Sequence, residues 1–175
     1  MLLDFEIDKL THSIEDVITG ENLPTEIKPL EKIDLNNITK KNGWKFNWKA
    51  EFARPDRQIF KLVLQQQPAV VQGLVCFTVM PDHIFMPLIE TAPHNFGKTK
   101  KYLGVAGNLV AYGCKCSFEL GLDGYMAFIP KTKLITHYKK TLGAELFGHR
   151  MFIQTQAAMN LIKQYYPEFL INKSC

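Results

Sequence analysis

A lysine-rich loop followed by small residues is the part of the sequence best suited to bind an anion. The residues concerned are Lys98, Lys100 and Lys101 in the loop, and Gly104, Ala106 and Gly107 after it. An apolar stretch follows and predicts a buried helix, so the small residues fall at a helix N-terminus. About four backbone N–H groups there lack partners within the helix and favour a phosphate. Two simpler interpretations stay open, because small residues also relieve helix packing and loop lysines are usually solvated.

Residues 101–106 read KYLGVA, with Gly104 and Ala106 at two small positions and Lys101 at the first. This segment resembles the Q/R-x-x-G-x-G/A loop with which the GCN5-related N-acetyltransferases bind acetyl-CoA. It lacks the G-K-S/T ending of a Walker loop and the glycine spacing of a dinucleotide fingerprint. The resemblance covers residues 44–166 and implies a cofactor site formed by Thr91, Ala92, Lys98, Lys100, Lys101, Tyr102, Leu103, Gly104, Val105, Ala106 and Gly107.

The resemblance also implies a role for each of these residues in binding the cofactor. The backbone amides of residues 103–107 are expected to hold the pyrophosphate, and the three lysines to neutralise the phosphates. The pantetheine arm is expected to lie along the strand that carries Thr91 and Ala92. No metal ion is expected, since none of the five histidines has the i, i+4 spacing of a helical metal site.

Tyr138 lies in LITHYKKTLGA, where members of the family carry a tyrosine close to the cofactor sulfur. When an amine attacks a thioester, the departing thiolate is stabilised by a hydroxyl that donates a hydrogen bond or a proton. The resemblance therefore implies that Tyr138 is the general acid. The alternative is a core aromatic, because Leu134, Ile135 and Leu142 share its helical stripe.

Glu90 is the best candidate for a general base, with Asn95 as a weaker candidate for holding the acyl carbonyl. An acceptor amine is mostly protonated at neutral pH, so a carboxylate must take a proton from it. An acid after five mostly apolar residues is unusual in a buried strand, because an unpaired buried charge is costly. The alternative is a Glu90 at a solvated strand end or paired with a lysine.

The sequence thus predicts an acetyl-CoA-dependent N-acetyltransferase in which the amine attacks the thioester directly within a ternary complex. The competing hypothesis is a non-catalytic module of the same fold that binds CoA or another anion, since a fold does not fix a function. The acceptor stays open between a small-molecule amine, a protein and a charged tRNA. Whether the chain forms a homodimer stays open as well.

Hydrophobic patterning predicts an α+β fold with a mostly antiparallel sheet flanked by helices, in one domain of residues 1–175. Phe5, Leu10, Ile14, Val17 and Ile18 predict a helix ended by Gly20, in a helical region 1–42. The alternation of aromatic and polar residues in 44–48 predicts a first strand. Strands at 58–65, 70–79 and 84–92 complete a meander, with Pro87 predicting an interruption, a bulge or an edge.

The second half of the chain alternates helices with strands. The predicted elements are a buried helix from near Gly104 to Gly121, a strand over 125–129, a helix over 132–142, a strand over 150–154 and a helix over 155–166 ended by Pro167. Together with the meander, these elements form the predicted core of the domain, residues 44–166.

Composition excludes several classes of protein. The chain has 175 residues, 46% of them hydrophobic, and a net charge of +4, which excludes disorder and does not suit a duplex DNA binder. No membrane span or signal peptide is predicted, and we expect a cytoplasmic protein. Four cysteines, Cys76, Cys114, Cys116 and Cys175, are expected to be structural thiols.

Overall fold

The computed structural model describes residues 1–173 and consists of a seven-stranded sheet, a small three-stranded sheet and five α-helices in that part of the chain. The strands of the large sheet are Thr25–Pro29 (β3), Gln58–Leu64 (β4), Gln67–Val79 (β5), Ile84–Thr91 (β6), Met126–Phe128 (β8), Glu145–Phe147 (β9) and Arg150–Ile153 (β10). They lie side by side in the order β3-β4-β5-β6-β8-β10-β9. The small sheet joins Ile14–Asp16 (β1) to Asn22–Leu23 (β2) and Tyr102–Leu103 (β7).

The helices pack around the large sheet and close one hydrophobic core. Their bounds are Trp48–Phe52 (α1), Val105–Glu119 (α2), Ile135–Leu142 (α3), Thr155–Tyr165 (α4) and Pro167–Lys173 (α5). Helix α2 lies on β5 and β6 and is covered by α4. Ten of its fifteen residues are buried, as expected for an apolar helix enclosed between a sheet and another helix. The predicted α+β fold is confirmed.

Strands β3 to β6 form an antiparallel meander, and the three predicted strands 58–65, 70–79 and 84–92 are confirmed within a few residues. Pro87 lies at a bulge of β6: Cys76 pairs with Leu88 and Thr78 with Phe85, so β6 has one residue more than β5 there. A bulge accommodates a proline because the residues within it need not donate to the ladder.

Strands β6 and β8 pair over two residues only and then separate. They run parallel, with Ile84 opposite Met126 and Phe85 opposite Ala127. Beyond these pairs β6 continues to Thr91, so the middle of the sheet opens into a wedge. The N-terminus of α2 lies near the open end, because the chain reaches α2 through a loop that leaves the end of β6.

The predicted N-terminal helix is wrong, and so is the description of residues 1–42 as a helical region. Residues 1–13 contain no helix, with a bridge at Leu3 and a bend at residues 12–13, and β1 follows. The Asp16 carboxylate then accepts the N–H groups of Ile18 and Thr19 in a tight turn. The buried residues Leu3 and Ile7 alternate with exposed ones, which is the period of a strand. Contacts with residues far along the chain therefore determine the structure of this segment, although its apolar spacing is typical of a helix.

The predicted strand over 44–48 is also wrong, and β3 is the first strand of the meander instead. Residues 44–47 form a loop in which the N–H groups of Lys45 and Phe46 donate to the Glu90 side chain rather than to a neighbouring strand. The Asn47 side chain then accepts the N–H of Ala50 at 3.1 Å and begins α1. The Glu90 side chain therefore accepts the hydrogen bonds that a neighbouring strand would accept in a sheet.

The helices and strands predicted in the second half of the chain are present, and the structure differs from the prediction at three places. Helix α3 is preceded by a 3₁₀ turn at Thr132–Leu134, strand β9 was not predicted, and Pro167 begins α5 rather than ending the helical region. Cys76 and Cys114 are buried and Cys116 is half-buried, all three as free thiols; Cys175 lies outside the described residues. None of the helices within residues 1–173 is long and apolar enough to cross a membrane.

Two buried tyrosines make stability sensitive to alkaline pH. Burial raises the pKa of Tyr138 and that of Tyr165 above 10, so above pH 10 the unfolded chain loses phenolic protons that the folded chain keeps. The free energy of unfolding is expected to fall by up to about 2.8 kcal/mol per pH unit above pH 10 because of these two groups. Denaturant unfolding between pH 9 and 11 measures this slope. A double variant with Tyr138→Phe and Tyr165→Phe should have a smaller slope, and equal slopes would contradict the assignment.

Candidate functional site

A cavity of about 520 Å³ lies beside the part of β6 that continues past its pairing with β8. One wall is the end of β6, with Ile89, Glu90 and Thr91, and another wall is the N-terminal segment of the chain. The cavity is lined by four lysines and four acids, namely Lys45, Lys98, Lys100, Lys133, Asp4, Glu6, Asp8 and Glu90. The volume is within the range of small-molecule sites, and the lining offers positive charge to an anion and negative charge to a cationic amine.

The N-terminus of α2 is contacted by a carboxylate of the same chain. The N–H of Gly104 donates to Asp8 Oδ1 at 3.1 Å, and Lys100 Nζ lies 3.1 Å from Asp8 Oδ2. Gly104 has a φ of 87°, in the left-handed region that favours glycine. The structure thus brings together the helix N-terminus and a loop lysine, and the anion between them is Asp8.

The remaining residues of the predicted phosphate loop lie at different depths. Ala106 lines the cavity together with Lys98 and Thr91, whereas Lys101 is exposed with its ammonium 5.5 Å from the ring centre of Tyr102. The buried residues are Ala92, Tyr102, Gly104, Val105, Ala106 and Gly107, and Leu103 is half-buried. Strand β7 pairs with β1, so the N-terminal region fixes the position of this loop.

Gly104 leaves no room for a side chain. A Cβ at this position would lie 2.0 Å from Thr11 Oγ1, and the backbone would be strained by its positive φ. Gly104→Ala is expected to lower the free energy of unfolding by about 2–4 kcal/mol, from left-handed strain and overpacking together. Chemical denaturation tests this, with Gly20→Ala as control. Gly20 has a φ of 72° with nothing within 4 Å of its virtual Cβ, so an equal loss in the two variants would contradict a role for Thr11.

Tyr138, on α3, is fully buried, packs on Phe128 of β8 and is not among the residues that line the cavity. Its hydroxyl donates to the carbonyl oxygen of Phe5 at 2.6 Å, and its ring stacks on that of Phe5 at 4.7 Å between centres. Burial raises its pKa, so the hydroxyl is protonated at neutral pH, and the Phe5 carbonyl accepts its hydrogen bond in the structure. Tyr138 is therefore a core residue next to the N-terminal segment.

Glu90 is buried, and its carboxylate accepts three N–H bonds from the loop before α1 and from Trp48. Oε2 accepts from the Lys45 N–H at 2.7 Å, while Oε1 accepts from the Phe46 N–H at 3.3 Å and from the Trp48 indole at 2.8 Å. Three of the roughly four acceptor positions of the carboxylate are therefore occupied within the protein. The structure shows Glu90 as the residue that holds this loop against β6.

Asn95 is buried, and both ends of its amide are occupied. Its Nδ2 donates to the carbonyl oxygen of Gln72 and to Gln72 Oε1, and its Oδ1 accepts the N–H of Tyr102 at 3.2 Å. These bonds tie the loop after β6 to β5 and β7. Asn95 lines the cavity, and its polar atoms serve the scaffold of the site.

Sequence reasoning missed the residues of the N-terminal segment that reach the wedge, above all Phe5 and Asp8. Apolar Leu3, Phe5 and Ile7 alternate with Asp4, Glu6 and Asp8, and this period of two was a signal for an extended segment. Within residues 1–173, no group of three or more His, Cys, Asp or Glu side chains is arranged to hold a metal ion.

Comparison with solved structures identifies the architecture. A chimera based on the spermidine N-acetyltransferase of Vibrio cholerae matches with a TM-score of 0.56 and 18% identity, over 78% of this chain and 99% of that one. The same enzyme in complex with CoA and spermine matches with a TM-score of 0.53 and 19% identity, over 78% and 98% of the two chains. The chain has the fold of the GCN5-related N-acetyltransferases.

The chain also matches a chain in the crystal structure of the KacTA–DNA complex, with a TM-score of 0.51 and 10% identity, over 79% of this chain and 98% of that one. No model of a protein family matches the chain, and no curated sequence matches it. At these identities the comparison establishes the fold, while the activity has to be argued from the site.

The N-terminus of α2 is the place in this cavity where an anion is bound. The Gly104 amide donates to the Asp8 carboxylate, as helix N-termini do to anions in general. Lys98 and Lys100 line the same cavity and supply positive charge beside it. The fit requires the Gly104 amide to exchange Asp8 for the ligand.

Proposed function

We propose that this protein is an acetyl-CoA-dependent N-acetyltransferase that transfers an acetyl group to a primary amine by direct attack within a ternary complex. The observation that carries the proposal is the N-terminus of α2, where the Gly104 N–H already binds a carboxylate at the edge of a cavity lined by Lys98 and Lys100. The fold shared with N-acetyltransferases supports it.

In this proposal the amides of residues 103–107 and the lysines Lys98, Lys100 and Lys101 hold the phosphates of acetyl-CoA. The pantetheine arm follows the end of β6 at Thr91 and Ala92. When bound, acetyl-CoA supplies the activated acetyl group as a thioester. Helix N-termini and flexible ammonium groups are suited to phosphate because they donate N–H bonds and positive charge.

The proposed chemistry uses two side chains at the wedge. The nitrogen of the neutral amine forms a bond to the thioester carbonyl carbon, and the carbon–sulfur bond then breaks. Glu90, directly or through a water molecule, takes the proton that the amine loses, and the Tyr138 hydroxyl donates to the departing thiolate. Asn95 is proposed to position the loop that faces the acyl group.

The acceptor is proposed to be a small-molecule amine, by analogy with the neighbour bound to CoA and spermine. Protein and tRNA acceptors are alternatives that a binding assay can separate. A tRNA acceptor predicts an affinity that falls steeply as salt concentration rises, because phosphate contacts release counterions. A small amine bound at the cavity predicts a much weaker dependence.

Calorimetry with acetyl-CoA and CoA tests the binding step, and release of the CoA thiol in the presence of an amine panel tests the transfer. The panel includes spermidine, a lysine-containing peptide and an aminoacyl-tRNA. The proposal predicts saturable binding and amine-dependent thiol release. Absence of binding at millimolar acetyl-CoA, together with absence of thiol release, would exclude it.

A second candidate is a non-catalytic module of the same fold that binds CoA or another anion. It is favoured by Glu90, whose oxygens are engaged by three N–H donors. This candidate predicts coenzyme binding without thiol release for any amine. It further predicts that Glu90→Gln changes stability and leaves coenzyme affinity within about twofold.

A further inference from the structure

The N-terminal segment, residues 3–11, lies where β6 and β8 separate and has no regular secondary structure apart from a bridge at Leu3. The N–H of Leu3 donates to the carbonyl oxygen of Ile129 at 2.8 Å, and the N–H of Lys131 donates to the carbonyl oxygen of Leu3 at 2.8 Å. Leu3 and Pro130 form a parallel bridge. The segment thus continues from the end of β8 into the space that β6 and β8 leave open.

The segment is held by contacts along its whole length. Phe5 packs on Tyr138 and on Phe128, with ring centres 4.7 Å and 5.5 Å apart. The N–H of Ile7 donates to His137 Nε2 at 3.0 Å. Farther along, the N–H of Thr11 donates to the Tyr165 hydroxyl at 3.0 Å. Apolar packing and hydrogen bonds together fix this extended course.

Three of its contacts fall on residues that the proposed function assigns to acetyl-CoA. The Phe5 carbonyl accepts the Tyr138 hydroxyl at 2.6 Å, which is the donor proposed for the departing thiolate. The Asp8 carboxylate accepts the Gly104 N–H and pairs with Lys100, which are the groups proposed for the pyrophosphate. A hydrogen-bond acceptor and an anion of this segment therefore sit at the two ends of the proposed coenzyme path.

The two contacts lie close together along the segment. Phe5 and Asp8 are three positions apart, and an extended chain advances about 3.3 Å per residue, so at most roughly 10 Å of backbone lies between them. A flexible linear arm that joins a thioester to a diphosphate has to cross the same wedge from Tyr138 to the start of α2. The segment and the arm cannot both hold the Gly104 amide and the Tyr138 hydroxyl.

We propose that residues 3–11 are an internal competitor of acetyl-CoA, with Asp8 in place of the pyrophosphate and the Phe5 carbonyl in place of the thiol end. The inference rests on the proposed function and adds its regulation: the Gly104 amide and the Tyr138 hydroxyl become available to the coenzyme only when the segment leaves. Competition of this kind lowers the apparent affinity by the fraction of molecules whose wedge is open. Removing the anchors of the segment raises that fraction.

Calorimetric titration of the full chain with acetyl-CoA tests this, comparing the wild type with a double variant, Phe5→Ser with Asp8→Asn. The double variant is expected to bind at least about tenfold more tightly, because its segment has lost the aromatic anchor and the carboxylate. The matched control is Ile18→Ser with Glu21→Gln, two exposed positions outside the wedge. The control also loses one apolar side chain and one negative charge, so it should bind as the wild type does.

The outcomes separate the two proposals. Equal and measurable affinity of wild type and double variant would overturn the competition and leave the proposed function standing. Absence of binding in both proteins at millimolar acetyl-CoA would overturn the proposed function and the competition with it. Tighter binding by the control as well would attribute the effect to charge and not to the segment.

Hydrogen exchange of the wild type gives a test that needs no variant to fold. The amides of Leu3, Ile7 and Thr11 are hydrogen-bonded in the structure and are expected to exchange slowly. Saturating CoA should speed their exchange by at least about tenfold, because the displaced segment loses these bonds. If CoA binds and these three amides keep their protection, the segment does not compete with it.

Discussion

Replacing Glu90 with leucine is expected to lower the free energy of unfolding by about 3–6 kcal/mol. The substitution leaves the Lys45 N–H, the Phe46 N–H and the Trp48 indole without their acceptor. A buried unsatisfied donor costs about 1–3 kcal/mol, and the two backbone donors, which are part-buried, are expected to lie at the lower end of that range. Chemical denaturation followed by tryptophan fluorescence measures the loss, since Trp48 is one of only two tryptophans.

Glu26→Leu is the matched control, because Glu26 is an exposed carboxylate on β3 that lies 3.5 Å from the Lys28 ammonium. Its effect is expected to stay within about 0.5 kcal/mol. A loss below 1 kcal/mol for Glu90→Leu would contradict the loop-holding role. In that case the Glu90 carboxylate would be free to accept a proton from a substrate.

Replacing Tyr138 with phenylalanine is expected to lower the turnover number of acetyl transfer by about 10²-fold, the lower end of the range for a general acid. The variant keeps the ring that packs between Phe5 and Phe128 and loses only the hydroxyl. Acetyl-CoA affinity should not weaken, since the lost hydrogen bond to the Phe5 carbonyl also held the competing segment. Steady-state thiol release and calorimetry together measure turnover and affinity.

Tyr125→Phe is the control for this change, because Tyr125 is half-buried beside β8 and has no proposed role in transfer. It should leave turnover within about twofold. A Tyr138→Phe variant with unchanged turnover would contradict the general-acid role and leave Tyr138 as a core residue. A turnover that falls only because the affinity falls would point instead to a binding contact.

The elements with dense local signals could be predicted from the sequence. Strands β4 to β6 are runs of branched and aromatic residues separated by short turns, so nearest-neighbour pairing makes a meander of them. Helix α2 is apolar over four turns, which indicates burial on both sides. The bulge at Pro87 follows from the missing N–H of proline alone.

The first fifty residues could not be predicted because their structure depends on distant partners. Ninety-six positions separate Asp8 from the Gly104 amide, and forty-five separate Lys45 from Glu90. Periodicity within a window detects neither contact. The apolar spacing from Phe5 to Ile18 fits a helix by itself, and the alternation from Leu3 to Asp8 becomes decisive only when the wedge is present to receive it.

The same contacts explain where the predicted site residues lie. The loop lysines, the small residues at the start of α2 and Tyr138 have local signatures, and of these Lys98, Lys100 and Ala106 line the cavity, whereas Lys101 is exposed and Tyr138 is in the core. Glu90 and Asn95 are predicted from their residue types and from their places at the end of a strand and in the loop after it. Their hydrogen bonds to the loops around them depend on folding that no short motif encodes.

The most direct test of the central claim is the backbone amide spectrum of the isotope-labelled protein during titration with CoA. We predict that the amide resonances of Gly104, Val105 and Ala106 shift progressively and saturate, because the diphosphate takes the place of the Asp8 carboxylate there. If CoA saturates the protein while these three resonances stay unmoved, the coenzyme binds elsewhere and the wedge is not its site.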